Sequence, residues 1–234
     1  MTMYDRGEPH RPLVVDEWDD GFGWLAHPDE DARRASHAVL GDDGVWLLDP
    51  LDAPGLDRVI SGLGDVAGVA VLSNYHSRDA AHFADRYDVP VHVPDWFDAV
   101  PATADAPVER VTDSLGGSGF ELRRVDPLPT WREAIAWRET DKTLYTADLL
   151  SALPLYRTGD ERLGLYLFAR LFPPRDAFTD IEPTRIICGH GPGVFEDATD
   201  ALQYALSNAR TQFPRALFEN GPEQIAALLG ALRD

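Results

Sequence analysis

One cysteine, Cys188, and one lysine, Lys142, stand in a chain of 234 residues. A lone cysteine excludes an internal disulfide and any cysteine-based zinc cluster. The lysine shortage belongs to a wider lack of positive charge: 21 Lys and Arg face 40 Asp and Glu, a formal net charge of -19. Such a surface has no basic patch for phosphates, so nucleic acid is excluded as an expected partner. No apolar run approaches the roughly 18 residues of a membrane helix. The opening stretch MTMYDRGEPHRP also lacks the apolar core of a secretory signal. The expectation is a soluble, cytoplasmic chain with no membrane partner. Repeats, low-complexity segments and long linkers are missing too, which points to one domain over 1–234. With 44% hydrophobic residues, the chain can bury a sizeable core.

The acidic excess resembles the surfaces of proteins from salt-accumulating halophiles. Like charges repel over a screening length of about 30 Å at 0.01 M salt and about 3 Å at 1 M. The melting temperature is therefore expected to rise steeply between those limits. A flat profile by differential scanning fluorimetry would show that the acidity is not a halophilic adaptation.

Periodicity orders the chain. HAVLGDDGVWLLD (His37–Asp49) is two apolar runs around an Asp-Gly turn, a hairpin signal. VAGVAVLS (Val66–Ser73) reads as a buried strand. Ala80, Phe83, Ala84 and Tyr87 then fall on one helix face, with Ser77 as N-cap and Asp79 in the first turn. VPVHVP (Val89–Pro94) closes a βαβ unit with parallel strands. Phe120–Pro127 and Glu133–Asp148 read as three strands, the last two joined at Glu139–Asp141. The apolar segment 151–180 holds a loop and a helix over about Glu161–Leu171. RIICGHGPG (Arg185–Gly193) is a buried strand ending in a Gly-rich turn. Two helices follow over 196–234, one on Ala201, Ala205, Leu206 and Ala209, the other on Ile225, Leu228, Leu229 and Leu232.

Three strand ends carry polar groups: Asn74-Tyr75-His76-Ser77-Arg78-Asp79, then Asp148 closing TLYTAD, then His190 in ICGHG. Ligand sites of open α/β sheets gather beyond the carboxyl ends of strands. Ser73, His76, Arg78, Asp148 and His190 are therefore expected around one cleft. In order and spacing, Ala38 to Val194 resembles the metallo-β-lactamase fold superfamily. That family places H-x-H-x-D-H after a strand, then a PGHTPG turn, a strand ending in Gly-Asp and a strand ending in GHG. The resemblance implies an α/β (α+β) fold, a four-layer αββα sandwich of two mixed β-sheets flanked by helices.

The ligand positions depart from the family pattern. The first motif reads Asn74, His76, Arg78 and Asp79, and only His76 keeps the family residue. The turn histidine falls at Pro129, and no histidine lies between His92 and His190 in any register. Asp148 matches the bridging aspartate and His190 the last histidine. The resemblance thus implies a hydrolase-like protein with a degenerate metal site, lacking the dinuclear zinc mechanism. Two readings stay open. In one, His76, Asp79, Asp148 and His190 hold a single zinc, iron or manganese ion, for hydrolysis of an ester, thioester, lactone or phosphoester. In the other there is no metal. Arg78 pairs with Asp148 or Asp79 in place of the lost cation, and the cleft of a binding or scaffold protein holds a small anionic ligand through Arg78 and the following helix N-terminus.

Other residues take structural readings. Asp49 ends GVWLLD and supports a loop by hydrogen bonds, and Trp131 fills the space of the lost turn histidine. Asn74 lines the cleft. His82 is a surface residue, His92 a strand residue and Cys188 a small buried hydrophobe. His10, His27 and His37 precede the motif, and one of them bending into the cleft stays open. The 163–172 segment is core or a homodimer face before it is a substrate lid.

Overall fold

The structure is a computed structural model that describes residues 3–98 and 106–231, with side chains described as far as residue 225. Seven strands form the first sheet in sequence order: β1 (Leu13–Trp18), β2 (Gly21–Leu25), β3 (Ala35–Leu40), β4 (Val45–Leu48), β5 (Val66–Ala70), β6 (Val91–Pro94) and β7 (Val108–Val111). The first four pair antiparallel and the rest parallel, so the sheet is mixed. Helices α1 (Leu56–Leu63) and α2 (Ala80–Tyr87) make the crossovers to β5 and β6. The second sheet has β8 (Glu121–Leu128), β9 (Trp131–Arg138), β10 (Thr143–Thr146) and β13 (Arg185–Cys188) in the order β13-β10-β9-β8, with β13 parallel to β10. A short pair, β11 (Leu150–Ser151) and β12 (Gly164–Leu165), lies outside both sheets.

The alternation of side chains along each strand builds the layers. On β5, Ala70 faces the second sheet, while Val69 packs with Leu56, Ile60 and Phe83 of α1 and α2. On β9, Ala134 and Ala136 face the first sheet, and Ile135 and Trp137 belong to the cluster containing Leu202 and Leu206 of α3 (Ala198–Ala231). The result is the expected αββα sandwich. The hairpin, the βαβ unit, the three central strands and the strand before the GHG turn all appear where periodicity placed them.

Three local expectations are corrected. The helix over Glu161–Leu171 is absent: the segment forms β12 and a 3-10 turn at Phe168–Arg170. Tertiary ties override its helical periodicity, because Arg170 and Glu161 form a fully buried ion pair and Leu163, Leu165, Leu167 and Ala169 are buried. Of the 163–172 segment, Leu171 and Phe172 are left exposed. The expected C-terminal helix pair is one helix, α3, running through Pro214 and Pro222. Asn220 Nδ2 donates to Arg157 O and Gln224 Nε2 to Leu155 O, and such bonds help offset the amide lost at each proline. The side chains of Leu228, Leu229 and Leu232 lie outside the described residues. Finally, α2 begins at Ala80, with Asp79 rather than Ser77 at the N-cap position. Among the described residues no helix is long and apolar enough to cross a membrane.

Candidate functional site

Four strands, β4, β5, β10 and β13, deliver their carboxyl ends to one edge of the sandwich. The loop after β5 carries Ser73 and His76, and the ends of β4, β10 and β13 lead to Asp49, Asp148 and His190. Gly189 lets the last two chains approach, since a Cβ there would lie 2.3 Å from Ala147 O. Asp148 is the centre of the cluster. Its Oδ1 is 2.9 Å from His76 Nε2 and 2.9 Å from His190 Nε2, and its Oδ2 accepts from Ser73 Oγ at 2.7 Å. The two imidazole centroids are 5.6 Å apart.

Both histidines are held from behind. His76 Nδ1 lies 3.2 Å from Asp49 Oδ2, and His190 Nδ1 lies 2.8 Å from Ala32 O. A carbonyl can only accept, so His190 Nδ1 carries a proton and its Nε2 faces Asp148. Asp49 is fully buried and is itself fixed by the Tyr145 hydroxyl on Oδ2 and Leu72 N on Oδ1. Imidazoles whose far nitrogens donate to a carboxylate and a carbonyl are oriented as metal-bound histidines usually are. Burial acts to raise the Asp148 carboxyl, but His76 and His190 outweigh it and hold it well below the usual range. Burial and Arg78 act to lower His76, yet the Asp148 and Asp49 carboxylates raise it overall.

The other expected site residues fall elsewhere. Asp79 does not join the cluster: its Oδ2 accepts from Asp52 N and its own N donates to Pro50 O, which turns it toward the chain after β4. Arg78 reaches the cleft but makes no pair with Asp148 or Asp79. From a backbone at φ 40°, its Nη1 donates to Ala35 O and Asp49 O and its Nη2 to Gly189 O, with Nη2 also 3.4 Å from His76 Nε2. Its fork is thus spent on main-chain acceptors. Asn74 bonds Thr130 O and Arg132 N, closing the loop against the turn where the family carries a histidine. Trp131 beside that turn is buried and lines the cleft. His37 pairs with Asp16 in the core, and His27 faces Asp5. His82 is exposed near Asp52. His92 is buried beside Trp46, and burial lowers it. Cys188 is buried, and burial pushes its thiol far up.

Several site residues carry no local sequence signal. Glu133 is buried beneath Asp148 and accepts from the main-chain N–H groups of Ala147, Asp148 and Leu149. Burial and the Asp148 charge push its acid well above the ordinary range. Over the cluster lies a cavity of about 350 Å³, whose walls include Tyr4, Trp131, Tyr156 and Tyr166. Tyr4 comes from the N-terminal segment, which is tied down by Ala32 N to Met3 O and by Arg34 Nη2 to Asp5 O.

An αββα sandwich with a His-Asp-His cleft at its strand ends is the class that fold and site define. No protein-family model matches the sequence, and no curated protein matches it. Among solved structures the chain is similar to the DIM-1 metallo-β-lactamase exposed to ceftazidime, at 13% identity and a TM-score of 0.62, over 90% of this chain and 100% of that one. It is similar to a metallo-β-lactamase from Pontibacter korlensis, at 14% identity and 0.58, over 85% and 100%. It is also similar to the FIM-1 metallo-β-lactamase of Pseudomonas aeruginosa in its mono-zinc form, at 12% identity and 0.54, over 86% and 99%. The chain has the metallo-β-lactamase fold.

Proposed function

We propose that the cleft is a single-metal centre of hydrolytic type, held by His76, Asp148 and His190, the one such donor cluster among the described residues. The observation that carries this reading is the orientation of the two imidazoles. Each Nδ1 faces an acceptor, Asp49 or Ala32 O, and each Nε2 is aimed at Asp148 Oδ1, with the donor atoms of all three residues within 4.8 Å of one another. Two imidazoles and a carboxylate are a donor set that zinc accepts, leaving a fourth position for water or substrate. A bound divalent ion would polarise an ester-type carbonyl or phosphoryl oxygen and bring the pKa of its water toward neutrality. Ser73 steadies Asp148 through Oδ2, and Asp49 steadies His76. Asn74 takes the place of one family ligand, and its side chain is tied instead to Thr130 O and Arg132 N of the 130–132 turn.

A second reading keeps the cleft free of metal. It is favoured by the Arg78 guanidinium, whose Nη2 is 3.4 Å from His76 Nε2. A unit charge some 4 Å from another costs or gains about 4 kcal/mol at an effective dielectric of 20, so this cation weakens any metal site beside it. Elemental analysis of protein purified at high salt, with zinc titration by calorimetry, separates the two. One ion per chain, lost in His190→Ala, is the expected result, together with turnover of at least one ester, thioester, lactone or phosphoester. A folded protein that takes up no zinc, iron or manganese would leave the binding reading.

A further inference from the structure

Acids outnumber bases 40 to 21 along the chain, yet the cavity wall inverts that ratio. Arg6, Arg34 and Arg78 line it, and Asp148 is its one carboxylate among the described residues. That carboxylate is already engaged by two histidines and Ser73. Arg34 gives Nε and Nη2 to Glu30 and Asp5 O and lies 5.5 Å over the Tyr4 ring. Its Nη1 has no protein partner among the described residues.

The tyrosines add donors. The side-chain hydroxyls of Tyr4, Tyr156 and Tyr166 bond no protein group among the described residues, although Tyr156 is 6% and Tyr166 9% exposed. The three residues line one cavity, and their hydroxyls are open to it rather than sealed in the core, so each is free to donate to a ligand or water held there. Burial and the Asp148 charge raise all three phenols, Tyr4 to about 12, so each is a donor at neutral pH. Their rings also form a wall: Tyr166 stands edge-on to Trp131 at 5.0 Å and to Tyr156 at 6.1 Å, and Tyr156 lies over the His190 ring at 6.4 Å. A volume of about 350 Å³ suits a small molecule.

We propose that this cavity selects a small organic oxyanion with a flat aromatic body, its carboxylate or phosphate group accepting hydrogen bonds from the Tyr4, Tyr156 and Tyr166 hydroxyls while its ring packs against Trp131, Tyr156 and Tyr166. This names the substrate class of the hydrolytic centre and rests on that reading for turnover, but not for binding. Binding is therefore measured by calorimetry on chelator-treated and on zinc-loaded protein. The probes are benzoate, phenyl phosphate, benzyl alcohol and benzyltrimethylammonium. At least one of the two anions should bind both forms of the protein, and the better of them identifies the oxyanion. Benzyl alcohol should bind at least about tenfold more weakly and the cation not at all, since hydrogen bonds to charged groups are the strong ones. Tyr156→Phe and Tyr166→Phe each remove one hydroxyl and should weaken the anion about tenfold, leaving benzyl alcohol and the melting temperature unchanged. Tyrosine-dependent anion binding by a protein that takes up no metal would refute the hydrolytic centre and keep this proposal. Anion binding that vanishes on chelation and ignores both phenylalanine variants would overturn it, as would no binding by either anion or equal binding by all four probes.

Discussion

Arg78→Ala should lower stability by about 3 kcal/mol while raising zinc affinity at least about tenfold. The two effects have separate origins. The guanidinium ties three chain segments together, through Ala35 O on β3, Asp49 O after β4 and Gly189 O after β13. Each buried acceptor left without a partner costs about 1–3 kcal/mol. Two of these carbonyls keep another donor, since Ser36 Oγ still reaches Asp49 O and Ala35 N still reaches Gly189 O, so the sum falls short of three full penalties. For a chain of this size, 3 kcal/mol lowers the melting temperature by about 6–12 °C. The gain in zinc affinity comes instead from removing a fixed cation beside His76 Nε2. Arg78→Lys separates the two: it keeps the charge but loses the fork, and should be destabilised without binding zinc more tightly. Arg78→Asp should bind zinc most tightly of the set, since it restores a carboxylate where the family carries one, and Asp tolerates the left-handed backbone at φ 40°. Equal melting and equal zinc affinity in wild type and Arg78→Ala would refute a dual role for this residue.

The legible parts of the molecule were those whose signal is local. The βαβ unit shows because Val69 and Val71 serve one face of β5 and its extension, and because Ala80, Phe83 and Ala84 repeat at helical spacing on α2. His76, Asp148 and His190 could be named because each lies in the polar stretch that follows an apolar strand, and parallel strands bring such ends to one edge. Strands β1 and β2 escaped notice for a physical reason. GFGWL contains two glycines, which are depleted in strands and carry no strand signal, yet they are there for close approach. A Cβ on Gly21 would meet Ala38 O at 2.6 Å, and one on Gly23 would meet the His37 ring at 2.6 Å. The continuity of α3 was hidden by Pro214 and Pro222, whose cost is met by contacts with the 153–170 segment far away in sequence. Asp79 misled because a ligand-type side chain one residue before a helix has a local use as well, here the Asp52 amide. Glu133, Tyr4, Tyr156 and Tyr166 have no pattern of their own. They come from separate segments that only the topology assembles, and Tyr156 and Tyr166, each in an apolar run, look like core until their hydroxyls are seen to lack a partner.

The largest loss of stability is expected from Glu161→Ala, at about 3–5 kcal/mol. Glu161 and Arg170 are both wholly buried, and their bonds are bidentate, Nη1 to Oε1 at 2.7 Å and Nη2 to Oε2 at 2.6 Å. Truncating the carboxylate leaves a guanidinium that cannot shed its proton in an apolar interior. The same arginine gives Nε to Leu165 O and Nη2 to Tyr156 O, so it fixes the backbone next to Tyr166 and that of Tyr156 itself. Loss of the pair should therefore loosen two walls of the cavity along with the fold. At 2–4 °C for each kcal/mol, the melting temperature should fall by roughly 6–20 °C. Replacing both partners by apolar residues of similar size, Glu161→Leu with Arg170→Met, removes the stranded charge and should recover more than half of the loss. Recovery stays incomplete because Leu165 O and Tyr156 O have lost their donor, and for the same reason the tighter-binding of benzoate and phenyl phosphate should still bind weakly to the double variant although its stability has largely returned. The exposed Arg124–Asp126 pair supplies the control, since screening by solvent should leave Asp126→Ala melting with wild type. A melting temperature for Glu161→Ala within about 1 °C of wild type, a shift worth under about 0.5 kcal/mol in a chain of this length, would show that the buried pair holds neither the fold nor the tyrosine wall.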